Sequence, residues 1–297
     1  MRLDLSPARS ALVGTNAGEP LARWRSCLHF IDLDLVRQAA HAARAILPEW
    51  VPLDDVVVVV VVDGSRAARA EDNGRVFVDL LGLPPSNPSL FLVPVLAHEL
   101  HHLGFIRARS GDPQPDRTDP TAATLVAILA DLVMEGAANA YFTPSDLSWL
   151  DQARSVALSE IGFGPAEIDD FRRRVIESKA RFPELLAELE RNLDLLLDAA
   201  VDPVPPPPVP EAAAAYAETL KNTREDLVRP VAHFMGEMMV QAIRVHAGDG
   251  AVIRAVACLA EFLPAYQQAC GLAGWPAMNP GLVARIGEAL SKIRSRP

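Results

Sequence analysis

The amino-acid sequence predicts an α+β protein, mostly α, with a small N-terminal sheet containing a hairpin and helices from there to the C-terminus. Three observations carry that prediction. Val56–Val62 is an unbroken valine run, β-branched throughout and short, which suits a strand better than a helix. The turn signal EDNGR is followed by the alternating RVFVDL at Arg75–Leu80, a hairpin pattern. Beyond the break GLPPSNP, apolar residues recur at helical spacing in segment after segment.

Composition narrows the function classes. Half of the 297 residues are hydrophobic and 22% are charged, so the chain reads as globular with a well-buried core. A formal net charge of −10, without a local cluster of Lys and Arg, argues against a nucleic-acid partner. Cys27, Cys258 and Cys270 are odd in number, widely spread and without a CxxC, as expected of free thiols in a reducing compartment. The N-terminus lacks an apolar signal-like region, and the valine run is too short to span a bilayer. These features predict a cytoplasmic protein with no membrane partner. They leave the oligomeric state open.

The elements follow in order. A helix is expected over Trp24–Ile46, closed by Pro48. The valine strand should be buried on both faces. The histidine-bearing segment should be helical from near Pro94 to Phe105, because proline is tolerated in a first turn. The polar stretch RARSGDPQPDRTDP reads as a loop, and Thr121–Phe142 as a second buried helix, apolar on nearly every face. Amphipathic helices are expected over Ser145–Ile161, Pro165–Arg181 and Glu184–Ala199. DPVPPPPVP, Asp202–Pro210, should be a polyproline II connector. Helices near Glu211–Asn222, Leu227–Ala247, Ala251–Cys270 and Gly281–Ser295 complete the chain. The implied organisation is a catalytic region over 1–201, a connector over 202–210, and a helical subdomain over 211–297 that closes a cleft.

One segment carries the chemistry. VPVLAHELHHLGFI places His98, Glu99, His101 and His102 in an otherwise apolar run, where ionisable groups are costly unless compensated. His98-Glu99-Leu100-His101-His102 contains HExxH. On a helix, residues four apart are offset by only ~40°, so His98 and His102 project side by side and can bind one zinc ion. Glu99 adjoins the first ligand and can take a proton from a metal-held water as general base. An open zinc site needs a third protein ligand. The extended HExxHxxGxxH pattern would need Gly and His where Phe105 and Ala108 stand, so it is excluded. Glu135 in DLVMEGAANAYF is the candidate, with Asp131 one turn earlier as rival. Asp131 or Asn139 could then orient a ligand imidazole. His101 is expected to pack or to support a ligand from behind.

HExxH followed by a Glu-Gly-x-Ala helix resembles the gluzincin metallopeptidases, of which thermolysin and aminopeptidase N are members. LAHELHHLGF, MEGAANAYF and RPVAHFMGEMMVQAI together resemble a bacterial family of zinc-dependent peptidases, from about Val56 to Cys270. The resemblance implies that His98, His102 and Glu135 bind Zn2+ and that Glu99 activates the attacking water on a peptide or protein substrate. It also implies a C-terminal His or Tyr that stabilises the oxyanion. His233 is the better placed, with Gly236 permitting close helix approach, and Tyr216 is a substitute. A core histidine bonded to Glu237 is the other reading of His233. Gluzincins often bind peptide along an edge strand beside the metal, a part Arg75–Leu80 could play. Two other readings remain open: a catalytically inactive zincin-like binding protein, and a zinc hydrolase of a non-peptide amide or ester.

Overall fold

The computed structural model describes residues 1–13, 24–25, 27–64, 68–110, 119–147, 150–199 and 208–295. Four strands form one sheet: β1 (Arg2–Asp4), β2 (Val57–Val61), β3 (Ala68–Glu71) and β4 (Arg75–Asp79). Their spatial order is β1-β2-β4-β3, with β2 parallel to both neighbours and β3 antiparallel to β4. Eleven helices lie among the described residues. They are α1 (Ser6–Val13), α2 (Leu33–Arg44), α3 (Ser89–Ala108), α4 (Pro120–Phe142), α5 (Gln152–Ser159), α6 (Pro165–Ala199), α7 (Glu211–Leu220), α8 (Val231–Ala247), α9 (Asp249–Ala257), α10 (Phe262–Ala273) and α11 (Pro280–Ser295). The protein is therefore α+β and mostly α, with its sheet in the first third.

The chain divides into two compact units. Met1–Arg107 with Tyr141–Arg172 forms one, and Ala108–Ala140 with Arg173–Pro297 the other. Helices α3, α4 and α6 each run unbroken through a point of division.

In the first unit the hairpin forms where the turn signal stands. Gly74 has φ +81°, which a glycine adopts without a side-chain clash, and Asn73 Oδ1 accepts from Arg75 N at 3.0 Å. Val58, Val60, Val76 and Val78 are buried on one sheet face, and α1 and α2 pack on β2 and β1. On the other face Val57 and Val61 are only half-buried, so the two-sided burial expected of the valine strand holds for its middle alone. β4 is an inner strand between β2 and β3. Arg75–Leu80 is thus not the edge expected for substrate pairing, because both of its hydrogen-bonding sides are used.

Helix α3 begins a full turn earlier than Pro94. The Leu92 N–H bonds the Pro88 carbonyl at 2.9 Å, and Pro94 sits inside the helix. Burial of Phe91, Leu92, Leu96, Leu100 and Leu103 offsets the hydrogen bond that a proline in the second turn forgoes. The far end of α3 is tied down by Arg107, which donates to both oxygens of Asp55, at 2.7 and 3.0 Å, and to the Pro52 carbonyl.

In the second unit α4 starts on Asp119, whose carboxylate accepts from Ala122 N at 2.9 Å, with Pro120 as first helical residue. Helix α6 is one 35-residue helix, where two were expected. It passes through Pro183 because Phe182, Leu185, Leu186, Leu189, Leu193 and Leu196 form a continuous buried stripe around the break. Helix α8 starts at Val231 after Pro230, is buried over most of its length, and packs on α9 and α10. The single helix expected over Ala251–Cys270 is instead α9, a short 3-10 turn and α10. In the first unit the expected Ser145–Ile161 helix shrinks to α5, whose start Asp151 caps. Residues 111–118 of the polar loop and 202–207 of the proline-rich connector lie outside the described residues. Residues 208–210 have no regular structure.

Candidate metal centre

Helix α3 turns His98 and His102 toward one another: their ring centroids lie 4.5 Å apart with planes at 89°. His98, His102 and Glu135 each offer one ligand atom, and these three atoms all lie within 4.8 Å of one another. All three side chains are half-buried. Two imidazoles and a carboxylate match, in kind and in number, the three protein ligands of a zinc site with one open position. The residues present therefore fit a metal ion of that class. Glu99, next along α3 from His98, is also half-buried. Asp131 lies outside the cluster, and burial is the main influence raising its carboxyl above the ordinary value, with Lys221 opposing.

Behind His98 stands Thr143, just past the end of α4, its Oγ1 3.2 Å from His98 Nδ1. An Nδ1–H donated to that hydroxyl leaves the Nε2 lone pair as the metal-binding donor, which fixes both tautomer and ring orientation. Sequence reasoning missed Thr143. The contact joins residues 45 apart, and a threonine after a helix has no signature of its own.

His101 faces another way. It is fully buried beside His102, Phe105 and Phe142, and neither ring nitrogen has a hydrogen-bond partner among the described residues. Burial, reinforced by His98, lowers its pKa to about 3, so the ring is neutral and acts as a packing group.

The surroundings of Glu135 are set where α4 crosses α8. A Cβ on Gly136 would stand 2.5 Å from the Gly236 carbonyl oxygen and 2.7 Å from its Cα. One on Gly236 would stand 2.9 Å from Gly136 Cα and overlap the Leu132 carbonyl oxygen. Two glycines thus bring the helix backbones into direct contact, in accord with the close approach expected at Gly236. The crossing sets His233 Nδ1 3.2 Å from Glu135 Oε2. Glu237 is not its partner: that carboxylate is buried and accepts from Gln241 Nε2 at 3.0 Å. Burial lowers the pKa of His233, Glu135 opposes the shift and Arg229 adds to it. Asn139 completes the group. Its Nδ2 lies 2.7 Å from the Glu135 carbonyl oxygen and 3.3 Å from His233 Nδ1, and its Oδ1 accepts from Arg229. Tyr216 lies elsewhere, buried with its hydroxyl directed at Met235 Sδ, and burial raises its pKa above the ordinary phenol value.

Residues 21–151 match the family described as "Putative zinc dependent peptidase (DUF5700)". That span contains His98, Glu99, His102, Glu135 and Thr143, and stops before Arg229 and His233. No curated protein and no solved structure matches the chain. This stretch is thus similar to a zinc peptidase family, and the cluster of two histidines and a glutamate inside it has the composition of a metal site.

Proposed function

We propose that the protein is a zinc-dependent metallopeptidase of gluzincin type. The observation that carries the reading is the convergence of His98, His102 and Glu135 within 4.8 Å, from two helices whose motifs are separated in sequence. Those three side chains would hold the ion. When bound, zinc supplies a Lewis acid that polarises the scissile carbonyl and lowers the pKa of water.

The remaining steps belong to this chain's own residues. Glu99 takes a proton from the attacking water and returns it to the leaving amine, two uses of one carboxylate that general acid–base catalysis allows. Thr143 holds His98 in the tautomer that leaves Nε2 unprotonated. His233 lies against one oxygen of Glu135, and through that contact it orients the carboxylate. An Nδ1–H so engaged leaves a neutral His233 without a second N–H to give, so we assign it this orienting part in place of direct oxyanion donation.

Glu99→Gln tests the assignment. It should abolish zinc-dependent peptide hydrolysis, by at least about 100-fold for loss of a general base, while bound zinc stays near one ion per chain. Retained hydrolysis in that variant would remove Glu99 from the mechanism. A zinc-loaded wild type that cleaves esters or non-peptide amides but no peptide would overturn the substrate class.

A further inference from the structure

The group around Glu135 includes a cation that the chemistry above does not use. Arg229 stands two residues before α8. Its one hydrogen bond among the described residues goes to Asn139 Oδ1. No carboxylate lies within salt-bridge distance of it among those residues, although Glu135 and Glu237 are near enough for their charges to be felt. Its surface is largely but not wholly covered. Burial pulls the guanidinium below its ordinary value, so it is a cation held at some cost where it stands. A guanidinium has five N–H donors in a planar fork. One amide oxygen uses a small part of that capacity.

The backbone that presents it is stiff. Pro230 restricts Arg229 to extended conformations. Thr223 pairs with Pro230 in an antiparallel bridge, and the Val231 N–H bonds the Asn222 carbonyl at 3.2 Å. The cation is therefore preorganised, which reduces the entropy lost when a ligand binds. Asn139 Nδ2 also donates to the Glu135 carbonyl oxygen, so the amide that receives Arg229 is bonded to the same residue whose carboxylate is proposed to hold metal.

We propose that Arg229 is the receptor for a carboxylate on the substrate, so that the peptides this site takes carry a free carboxylate beside the cleaved bond. The inference rests on the peptidase reading for its substrate and on the Arg229 group for its chemistry. A planar guanidinium fork matches a carboxylate with two parallel hydrogen bonds. The nearby Glu135 and Glu237 charges disfavour a multiply charged anion such as phosphate more than a singly charged one. Two sources share this chemistry: the C-terminal carboxylate of a chain, which would make the enzyme an exopeptidase, and an Asp or Glu side chain.

The test is calorimetric binding to full-length protein, as purified and after chelation, of three probes: N-acetyl-alanyl-alanine, its C-terminal amide, and N-acetyl-glutamyl-alanine amide. One of the two probes that carry a carboxylate, the free acid or the glutamyl amide, should bind the wild type about 100-fold more tightly than the uncharged alanyl amide, as expected when a buried charge pair loses one partner. That ratio should fall to near one in Arg229→Gln and be partly restored in Arg229→Lys. Tight binding of the glutamyl amide would identify the side-chain source, and its failure the chain terminus. Equal binding of all three by the wild type, no binding of any, or a ratio that survives Arg229→Gln would overturn the proposal. The wild-type ligand series needs no variant, so a misfolded substitution does not remove the test. Should the zinc-loaded protein cleave no peptide while the ratio and its loss in Arg229→Gln persist, the peptidase reading fails and the assignment of Arg229 stands.

Discussion

Replacing Gly236 by alanine probes the contact on which the Glu135 surroundings depend. The new Cβ would meet Gly136 Cα at 2.9 Å and Gly136 N at 3.0 Å, and would overlap the Leu132 carbonyl oxygen. All three atoms are backbone of α4, so no side-chain rotation relieves the clash, and the helices must separate by roughly half an ångström or more. Overpacking of this kind costs about 1–3 kcal/mol, and a backbone-to-backbone clash belongs at the upper end. Alanine's better helix propensity returns about 1 kcal/mol, for a net loss of about 2 kcal/mol. Gly287, inside α11, has no heavy atom within 4 Å of the corresponding Cβ, so Gly287→Ala should gain roughly 0.5–1 kcal/mol. Urea denaturation of the two variants and the wild type measures the difference directly. A Gly236→Ala protein as stable as wild type would refute the argument from backbone contact. So would equal losses at both positions.

Two further outcomes follow from the α3 histidines. His101 is neutral when folded, its pKa lowered to about 3 from 6.5, so below pH 6.5 the unfolded chain takes up a proton that the folded chain refuses. Stability is therefore lost as pH falls through that window, by about 2 kcal/mol between pH 7 and pH 5. His101→Leu should remove that part of the pH dependence in chelator-treated protein, and parallel urea midpoints for variant and wild type across the window would contradict it. Thr143→Val should weaken zinc binding by about 10–100-fold while Thr143→Ser keeps it, measured by chelator competition. Equal affinities in the two variants would exclude the hydroxyl's part in orienting His98.

What the sequence made legible was local. HExxH works through a four-residue helical offset, so the pairing of His98 with His102 was legible from spacing. Composition offered both Glu135 and Asp131 as carboxylates in an apolar helix, and the fold brings Glu135 to the two histidines. The Asn73-Gly74 turn was a local signal too. The remainder depends on long-range geometry. Strand order is set by pairing across dozens of residues, which is why β4 proved to be internal and the three-residue β1 passed unnoticed. Pro183 reads as a break until the buried stripe on both sides of it is known. Thr143 and Arg229 meet their partners 45 and 90 residues away, and neither belongs to a pattern that spacing could reveal.

The proposed activity requires that His98, His102 and Glu135 grip one ion. Elemental analysis of the dialysed protein, beside His102→Ala and Glu135→Gln variants confirmed as folded, tests that most directly. One zinc per wild-type chain, with less than about a tenth of that in either variant, is the result expected when a tetrahedral site loses one of three protein ligands. Wild-type protein that holds no zinc after reconstitution, or variants that hold as much as wild type, would contradict it.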